Sequence, residues 1–321
     1  MKAKTLGELR RTYPLEKLRR TVKDEARENL REKLRRGERL FPGIHGYEDT
    51  VIPALVQAIL AKQNFILLGT RGQAKSRILR SLTSLLDEEV PALATELRDN
   101  PLHPISPEGK RLLEEAGDDA PIVWLSREDR YVEKLATPDT SIADLIGEVD
   151  PIKIAEGRYL SDELTLHYGL VPRVNRGIFA INELPDLAER IQVGLLNLLE
   201  ERDVQIRGHR VRLDLDVFIV ATANPEDYTN RGRIITPLKD RFGAEIRTHY
   251  PLNLSNEIAL VRQEAVLQAI VPSHILETVA RFTRLVRQSP AIDDRSGISA
   301  RFAVAAAESV AASALRRSAI T

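Results

Sequence analysis

The sequence predicts an α/β fold in which a parallel sheet lies between helices, followed by a smaller all-helical domain. Four short apolar runs end in polar residues and are separated by segments of helical spacing, a pattern typical of parallel strands buried on both faces. From about residue 252 the apolar spacing is helical throughout, which indicates a separate helical lid. The apolar runs lie at residues 65–68, 121–126, 177–182 and 217–224.

The composition is that of a globular protein without a membrane span. The 321 residues are 43% hydrophobic and 29% charged, which excludes wholesale disorder. Lys and Arg together number 47, as do Asp and Glu, so no net field attracts nucleic acid. Cysteine is absent, which excludes disulfides and thiol nucleophiles. Because neither a membrane-length apolar run of ~20 residues nor a secretory signal is present, we expect a cytoplasmic protein.

These patterns divide the chain into three regions. Residues 1–40 alternate in charge over a thin apolar stripe, which predicts a charged extension of one or two solvated helices. Residues 41–251 form the α/β domain, and residues 252–321 form the helical lid. The sequence ends on an alanine-rich helix with no further element after it, and a lid that is truncated in this sequence is one interpretation. The N-terminal stripe consists of Leu15, Leu18, Val22, Ala26 and Leu30.

The strongest site signal is the loop GTRGQAKS that follows the first apolar run. Its pattern G-x-x-G-x-x-K-S, from Gly69 to Ser76, lies between a strand and a helix, as a phosphate-binding loop does. In such a loop the backbone amides surround the phosphates, Lys75 reaches the β- and γ-phosphates and Ser76 holds Mg²⁺. Ala74 replaces the usual glycine and is tolerated if it adopts a negative φ. The alternative is an ordinary strand-to-helix turn that contains Gly and Lys.

Polar residues end two later apolar runs. Asn182 ends the third run, Glu183 directly follows it, and Asn224 ends the fourth run, at the strand ends where ligands of open α/β sheets bind. Glu183 would act as a general base for the attacking water, and Asn224 would orient that water. Asn182 offers a metal ion an oxygen acceptor without a charge. The alternative for Asn182 and Glu183 is a capped strand-to-helix turn.

Two arginines are candidate phosphate ligands. Arg241, in PLKDRFG, follows a proline-started helix and would bridge to the nucleotide of a neighbouring subunit. Its alternative role is a salt bridge with Asp240 or Glu245. Arg301, at the head of the last helix, would touch the γ-phosphate from the lid, and its alternative role is that of a surface arginine.

Together these pieces resemble the AAA+ ATPases, and within them the magnesium chelatase ATPase subunit and the MoxR-like proteins. The resemblance runs from Phe41 to at least Arg301. FPGIHGYED resembles the segment whose I-x-G motif lies against adenine, ATANPED resembles sensor 1, and PLKDRFG resembles the arginine finger. The family carries an aspartate where this chain has Asn182, so the resemblance implies weaker Mg²⁺ binding here.

The resemblance implies a P-loop AAA+ core with a helical lid, and ATP with Mg²⁺ at each boundary of a homo-oligomeric, usually hexameric ring in which Arg241 acts in trans. The expected catalytic residues are Glu183, Asn224 and Arg241, and the expected metal residues are Ser76, Asn182 and Glu183. The expected ATP-binding residues are Ile44, His45, Gly46, Gly69, Thr70, Arg71, Gly72, Gln73, Ala74, Lys75, Ser76, Arg77 and Arg301.

Three functions remain open on the sequence. The first is an ATP-driven ring that remodels a partner protein, in metal insertion or cofactor maturation, with a partner that carries a von Willebrand factor A-like domain. The second is an ATP-binding regulatory scaffold that hydrolyses little because Asn182 weakens the metal site. The third is a DNA motor, which draws on Arg207, Arg210 and Arg212 in a β-hairpin predicted over residues 204–213. Because positive and negative residues are equal in number, the DNA motor is the least favoured of the three functions, and nucleic acid is a disfavoured partner.

Overall fold

The computed structural model describes residues 2–149, 166–200, 203–206, 209–224, 232–291 and 298–320. Within these ranges the helices are α1 (Leu6–Thr12), α2 (Leu15–Arg19), α3 (Val22–Arg35), α4 (Val51–Leu60), α5 (Lys75–Ser81), α6 (Pro107–Ala116), α7 (Ile142–Leu145), α8 (Leu170–Arg173), α9 (Glu189–Glu200), α10 (Thr236–Arg241), α11 (Leu254–Glu264), α12 (Ser273–Arg287) and α13 (Ala300–Ile320). The strands are β1 (Phe65–Leu68), β2 (Glu89–Leu93), β3 (Ile122–Ser126), β4 (Tyr131–Leu135), β5 (Gly147–Val149), β6 (Leu166–Tyr168), β7 (Gly177–Asn182), β8 (Asp203–Ile206), β9 (His209–Arg212), β10 (Val217–Ala223) and β11 (Ala244–Arg247).

Five strands form a parallel sheet in the order β11–β1–β10–β7–β4. After β1 the chain crosses to the far edge at β4, returns through β7 and β10, and then passes β1 to reach β11 at the other edge. The carboxyl ends of β1, β10 and β7 therefore meet where the direction of the strand order changes, which is where open α/β sheets bind ligands. The predicted α/β class with a parallel sheet is confirmed.

One predicted strand lies outside the parallel sheet. Residues 121–126 do contain a strand, β3, but it pairs antiparallel with β2 in a separate two-stranded sheet, so its predicted place is wrong. β3 is only partly buried, with Val123 38% exposed, and so it lacks the two covered faces of a parallel strand. The two edges of the parallel sheet are β4 and β11, which mix charged and apolar residues and show no continuous apolar run.

Two apolar cores cover the two faces of the parallel sheet. Alternate residues of β1 point to opposite faces, so Phe65 belongs to one core and Ile66 to the other. The core around Phe65 contains buried residues of α3, α4 and α5. The core around Ile66 contains buried residues of α9, among them Ile191 and Leu195.

The N-terminal region contains three helices where the sequence predicted one or two, and α3 packs directly on the sheet. A capping box of Thr21 and Asp24 begins α3. Glu25 of α3 forms a two-contact ion pair with Arg130 beside β4, with side chains only 6% and 2% exposed. Glu25 also accepts from the backbone amide of Asp87. A buried pair of this kind ties α3 to the body of the fold.

The C-terminal region is helical, as predicted. Helices α11, α12 and α13 pack around Val261, Leu276, Ala303 and Ala307. Within the described ranges, no helix is both long and apolar enough to cross a membrane.

Candidate functional site

The loop between β1 and α5 turns with two residues in the left-handed region. Gly69 continues from β1 and donates its amide to the Ala223 carbonyl of β10 at 3.1 Å. Gly72 has φ 75° and Ala74 has φ 56°. The negative φ under which alanine would be tolerated at position 74 is therefore contradicted. Ala74 instead adopts a conformation that is unfavourable for an L-residue, and such local strain is typical of functional loops.

Side chains brace this loop across its back. Gln73 donates to the Thr70 hydroxyl at 2.7 Å and accepts from the Thr248 hydroxyl at 2.7 Å. The Tyr47 hydroxyl donates to the Gln73 carbonyl at 2.9 Å, and burial raises the pKa of this phenol, so it stays a donor. A Cβ on Gly69 would lie 2.0 Å from the Thr248 hydroxyl, so only glycine fits there.

Lys75 begins α5, and the residue is 7% exposed. Its Nζ donates to the carbonyl oxygens of Gly69 and Thr70, at 2.5 and 2.9 Å. These two contacts hold the ammonium group against the backbone of the loop.

A cavity of about 710 Å³ lies between the loop, the segment before α4, and helices α11 and α13. Pockets of this size accommodate ligands as large as a nucleotide. Gly46, Gly69, Thr70, Asn182, Asn224 and Arg241 are not among its lining residues. The predicted residues that line it are Ile44, His45, Arg71, Gly72, Gln73, Ala74, Lys75, Ser76, Arg77, Glu183 and Arg301.

The carboxyl end of β7 faces the loop. The Ser76 hydroxyl donates to Asn182 Oδ1 at 3.2 Å, and the Thr222 hydroxyl of β10 donates to the same oxygen at 3.1 Å. Asn182 Nδ2 donates to a carboxylate oxygen of Glu133 on β4. Glu183 follows with φ 56°, lines the cavity, and donates its amide to Thr222 Oγ1 at 3.1 Å. Residues far apart in sequence thus meet at one edge of the sheet.

The donors at this edge fit Mg²⁺. A hard cation takes oxygen ligands, and in nucleotide sites the protein supplies only one or two of them while phosphates and water supply the rest. The Ser76 hydroxyl and the Asn182 amide oxygen are oxygen atoms of this type, and they lie 3.2 Å apart. In the part of the chain that the structure describes, no cluster of three or more His, Asp or Glu residues forms a dedicated metal site.

Asn224 and Arg241 are placed differently from Glu183. Asn224 directly follows β10 and is 4% exposed. Its neighbour Ala223 accepts the hydrogen bond from the Gly69 amide through its carbonyl oxygen. Arg241 ends α10 and is exposed to solvent. Glu245, one of its predicted alternative partners, forms an ion pair with Lys239 at 3.0 Å.

The lid closes one side of the cavity through polar contacts. Arg77 forms a two-contact ion pair with Glu264 of α11, which includes a contact of 2.9 Å and lowers the pKa of that carboxyl. His45 Nε2 lies 2.6 Å from Gln263 Oε1 of the same helix. Gly46 has φ 80°, and a Cβ there would lie 3.0 Å from the Asn256 amide, so this glycine permits the close approach of α11. Arg301, in the first turn of α13, also lines the cavity.

The predicted hairpin is present in the described residues, where β8 pairs antiparallel with β9. Arg207 lies outside the described residues, as do the side chains of Arg210 and Arg212.

Four residues near the site were missed by the sequence analysis. Tyr47 and Thr248 brace the loop from segments that carry no phosphate-binding pattern. Thr222 lies two residues before the predicted Asn224, near the end of the same strand. This position near a strand end is a sequence signal that could have identified Thr222 as a site residue. Glu133 lies on an edge strand that the sequence did not predict.

Residues 123–242 match the family profile of the AAA domain (dynein-related subfamily). No curated protein matches the chain. Among solved structures the chain is similar to the complex between subunits BchI and BchD of magnesium chelatase, with 23% identity and a TM-score of 0.48 over 74% of this chain and 69% of that one. It is also similar to a protein from Cytophaga hutchinsonii assigned as an ATPase, with 17% identity and a TM-score of 0.44 over 84% and 67%. NtrX from Brucella abortus shares 13% identity and a TM-score of 0.43 over 95% and 54%.

The family match confirms the resemblance to the AAA+ ATPases over residues 123–242. The matched segment begins in β3, ends just after α10, and includes Asn182, Glu183, Asn224 and Arg241. The loop at Gly69 and the helical lid lie outside it.

Proposed function

We propose that the protein is an ATPase that binds ATP with Mg²⁺ in the cavity between the loop and the lid. The observation that carries this proposal is the contact between Ser76 and Asn182, because it brings the loop and the end of β7 together beside the cavity. A strand-to-helix turn that binds no ligand would not need two left-handed residues and a buried Lys75 beside two oxygen atoms of the type that Mg²⁺ prefers.

Each residue has a role in this proposal. The loop amides and Lys75 bind the phosphates, and Ile44 and His45 lie where the adenine would enter. Ser76 and Asn182 hold Mg²⁺, which neutralises phosphate charge when it is bound. Glu183 lines the cavity and accepts a proton from the attacking water.

Arg241 acts from the neighbouring subunit of a homo-oligomeric ring, for which six subunits are the expected number. Its exposed position away from the lining of its own cavity supports a role in trans, because a charge at the edge of one subunit can reach the γ-phosphate of the next. Asn224 orients the attacking water at the end of β10.

We propose that this ring uses ATP hydrolysis to remodel a partner protein in a process such as metal insertion or cofactor maturation. The support is the likeness of the motifs to the magnesium chelatase and MoxR-like ATPases. A partner with a von Willebrand factor A-like domain is the corresponding proposal.

A regulatory scaffold is the second candidate, and Asn182 favours it. An amide attracts Mg²⁺ less than a carboxylate does, so such a site would bind ATP, support assembly and hydrolyse slowly. Steady-state ATP hydrolysis separates the two candidates: an ATPase hydrolyses faster than its Glu183→Gln variant, whereas a scaffold matches that variant.

Mixed rings test the ATPase proposal most sharply. Arg241→Ala should lower hydrolysis by about 100-fold or more with ATP affinity nearly unchanged, because a transition-state cation is lost. Glu183→Gln should be similarly inactive. When the two variants are mixed in equal amounts, about one quarter of the boundaries combine an intact Glu183 with an intact Arg241, and activity should return toward that fraction of wild type.

Arg247→Ala is the matched control, because Arg247 is an exposed arginine of β11 that does not line the cavity. It should keep wild-type hydrolysis. Mixtures that show only the summed activities of the two inactive variants would contradict a catalytic boundary between subunits.

A further inference from the structure

Glu133 is the charged residue next to Asn182 on the neighbouring strand. The two residues lie on β4 and β7, with Asn182 opposite Leu135 in the parallel register. Asn182 Nδ2 donates to Glu133 Oε1 at 2.5 Å, while Asn182 Oδ1 accepts from the Ser76 hydroxyl at 3.2 Å. The Asn182 side-chain amide therefore links the Glu133 carboxylate to Ser76, the other residue that is proposed to hold Mg²⁺.

The surroundings of Glu133 require that it act as an acceptor. Arg80 donates to both of its carboxylate oxygens, at 2.6 and 3.0 Å, and the Tyr131 hydroxyl donates at 3.3 Å. Burial raises the pKa of Tyr131, so this phenol stays protonated and donates. The Glu133 side chain is 18% exposed and accepts from the Arg80 guanidinium, the Tyr131 phenol and the Asn182 amide, so each of its contacts uses it as an acceptor.

An acceptor at this position determines how Asn182 is oriented. The amide nitrogen of Asn182 donates to the carboxylate, so Asn182 Oδ1 faces Ser76 and Thr222. The same contact polarises the amide and increases the negative charge on its oxygen. An aspartate at position 182 would instead place two carboxylates in contact, which the like charges oppose.

We propose that Glu133 is a positioning residue that supplies, through the Asn182 amide, the negative charge that position 182 lacks. The inference rests on the proposed function, because it concerns the same Mg²⁺ site. In this proposal Asn182 and Glu133 act together, so the asparagine with its neighbouring carboxylate replaces the aspartate that the family carries at this position. Arg80 holds the carboxylate in place from α5, the helix that also carries Lys75 and Ser76.

The test is a double-mutant cycle read as the effect of Mg²⁺ on ATP affinity. The dissociation constant of ATP is measured with excess Mg²⁺ and with EDTA, and the ratio of the two values gives the gain in affinity due to the metal. Four proteins are compared: wild type, Glu133→Gln, Asn182→Asp and the double variant. Melting temperature without nucleotide is recorded for each.

Glu133→Gln should lower the gain due to Mg²⁺ by about 10-fold, because a charge-assisted contact is lost, and should leave affinity in EDTA within about 3-fold of wild type. Asn182→Asp should not raise the gain, and should lower the melting temperature, because two carboxylates then meet. The double variant should recover the gain to within about 3-fold of wild type, because the amide introduced at position 133 can donate to the carboxylate introduced at position 182, and the charge has only changed sides.

Glu245→Gln is the matched control, since Glu245 lies on the opposite edge strand, is paired with Lys239 and does not line the cavity. It should leave the gain due to Mg²⁺ unchanged. Additive effects in the cycle, or an Asn182→Asp variant that binds Mg²⁺-ATP more tightly than wild type, would overturn the role of Glu133. A wild-type protein that does not bind ATP would instead overturn the proposed function.

Discussion

Ala74→Gly tests the strained loop, because Ala74 adopts φ 56° between β1 and α5. A left-handed conformation costs an L-residue about 1–2 kcal/mol, and glycine removes that cost. Glycine also loses about 0.5–1 kcal/mol through the entropy of the unfolded chain. Ala74 is partly buried against the core, so the lost methyl group costs about a further 0.5 kcal/mol.

A second alanine removes the entropy difference from the comparison. Ala61 directly follows α4 as its C-cap residue, has φ −79° and is exposed, so Ala61→Gly has the entropy cost without any relief of strain. The two variants should therefore differ by about 1 kcal/mol in the free energy of unfolding, with Ala74→Gly the more stable. Urea denaturation of both variants and the wild type measures this difference. An Ala74→Gly variant that is no more stable than Ala61→Gly would refute the strained loop.

Two further predictions concern buried charged groups. Glu25→Ala leaves Arg130 buried without its carboxylate, so the free energy of unfolding should fall by about 3–5 kcal/mol. Glu28→Ala on the same helix removes a more exposed pair with Arg20 and should cost less than about 1 kcal/mol, so equal losses in urea denaturation would contradict the packing of α3. Burial raises the pKa of Asp216 to about 6, above the value near 3.9 of an unfolded aspartate. The folded protein therefore keeps this proton longer than the unfolded chain, and the wild type should lose stability relative to Asp216→Asn as the pH rises from about 4 to about 6, by at most about 3 kcal/mol because the side chain keeps some contact with solvent. A stability difference that stays constant across this pH range would count against a buried Asp216.

The parts of the site that lie on continuous apolar strands could be predicted from the sequence. Asn182 ends the buried strand β7, Glu183 directly follows it, and Lys75 follows the loop after the buried strand β1. The order of the strands brings these ends together. The lid arginine Arg301 was also predicted on the cavity side. These predictions depend only on local pattern and on the general geometry of parallel sheets.

The remaining features depend on tertiary contacts that local pattern does not encode. Glu133 lies on an edge strand, where one exposed side permits charged residues and hides the strand pattern. The φ of Ala74 is set by the turn into α5, which alanine tolerates against its own preference. The charge-rich N-terminal segment was predicted to be solvated, yet the apolar stripe of α3 is buried in the core that covers the sheet. Glu25 of the same helix pairs with Arg130 from a distant segment, and the sequence pattern does not encode that partner.

The central claim is that the cavity between the loop and the lid holds ATP. Titration of ATP into Lys75→Ala tests it most directly, with Lys110→Ala as the control, because Lys110 is an exposed lysine of α6 that does not line the cavity. Loss of the ammonium group over two phosphates should weaken ATP binding by about 100-fold or more, while Lys110→Ala should match the wild type. Unchanged ATP affinity in Lys75→Ala would contradict the claim.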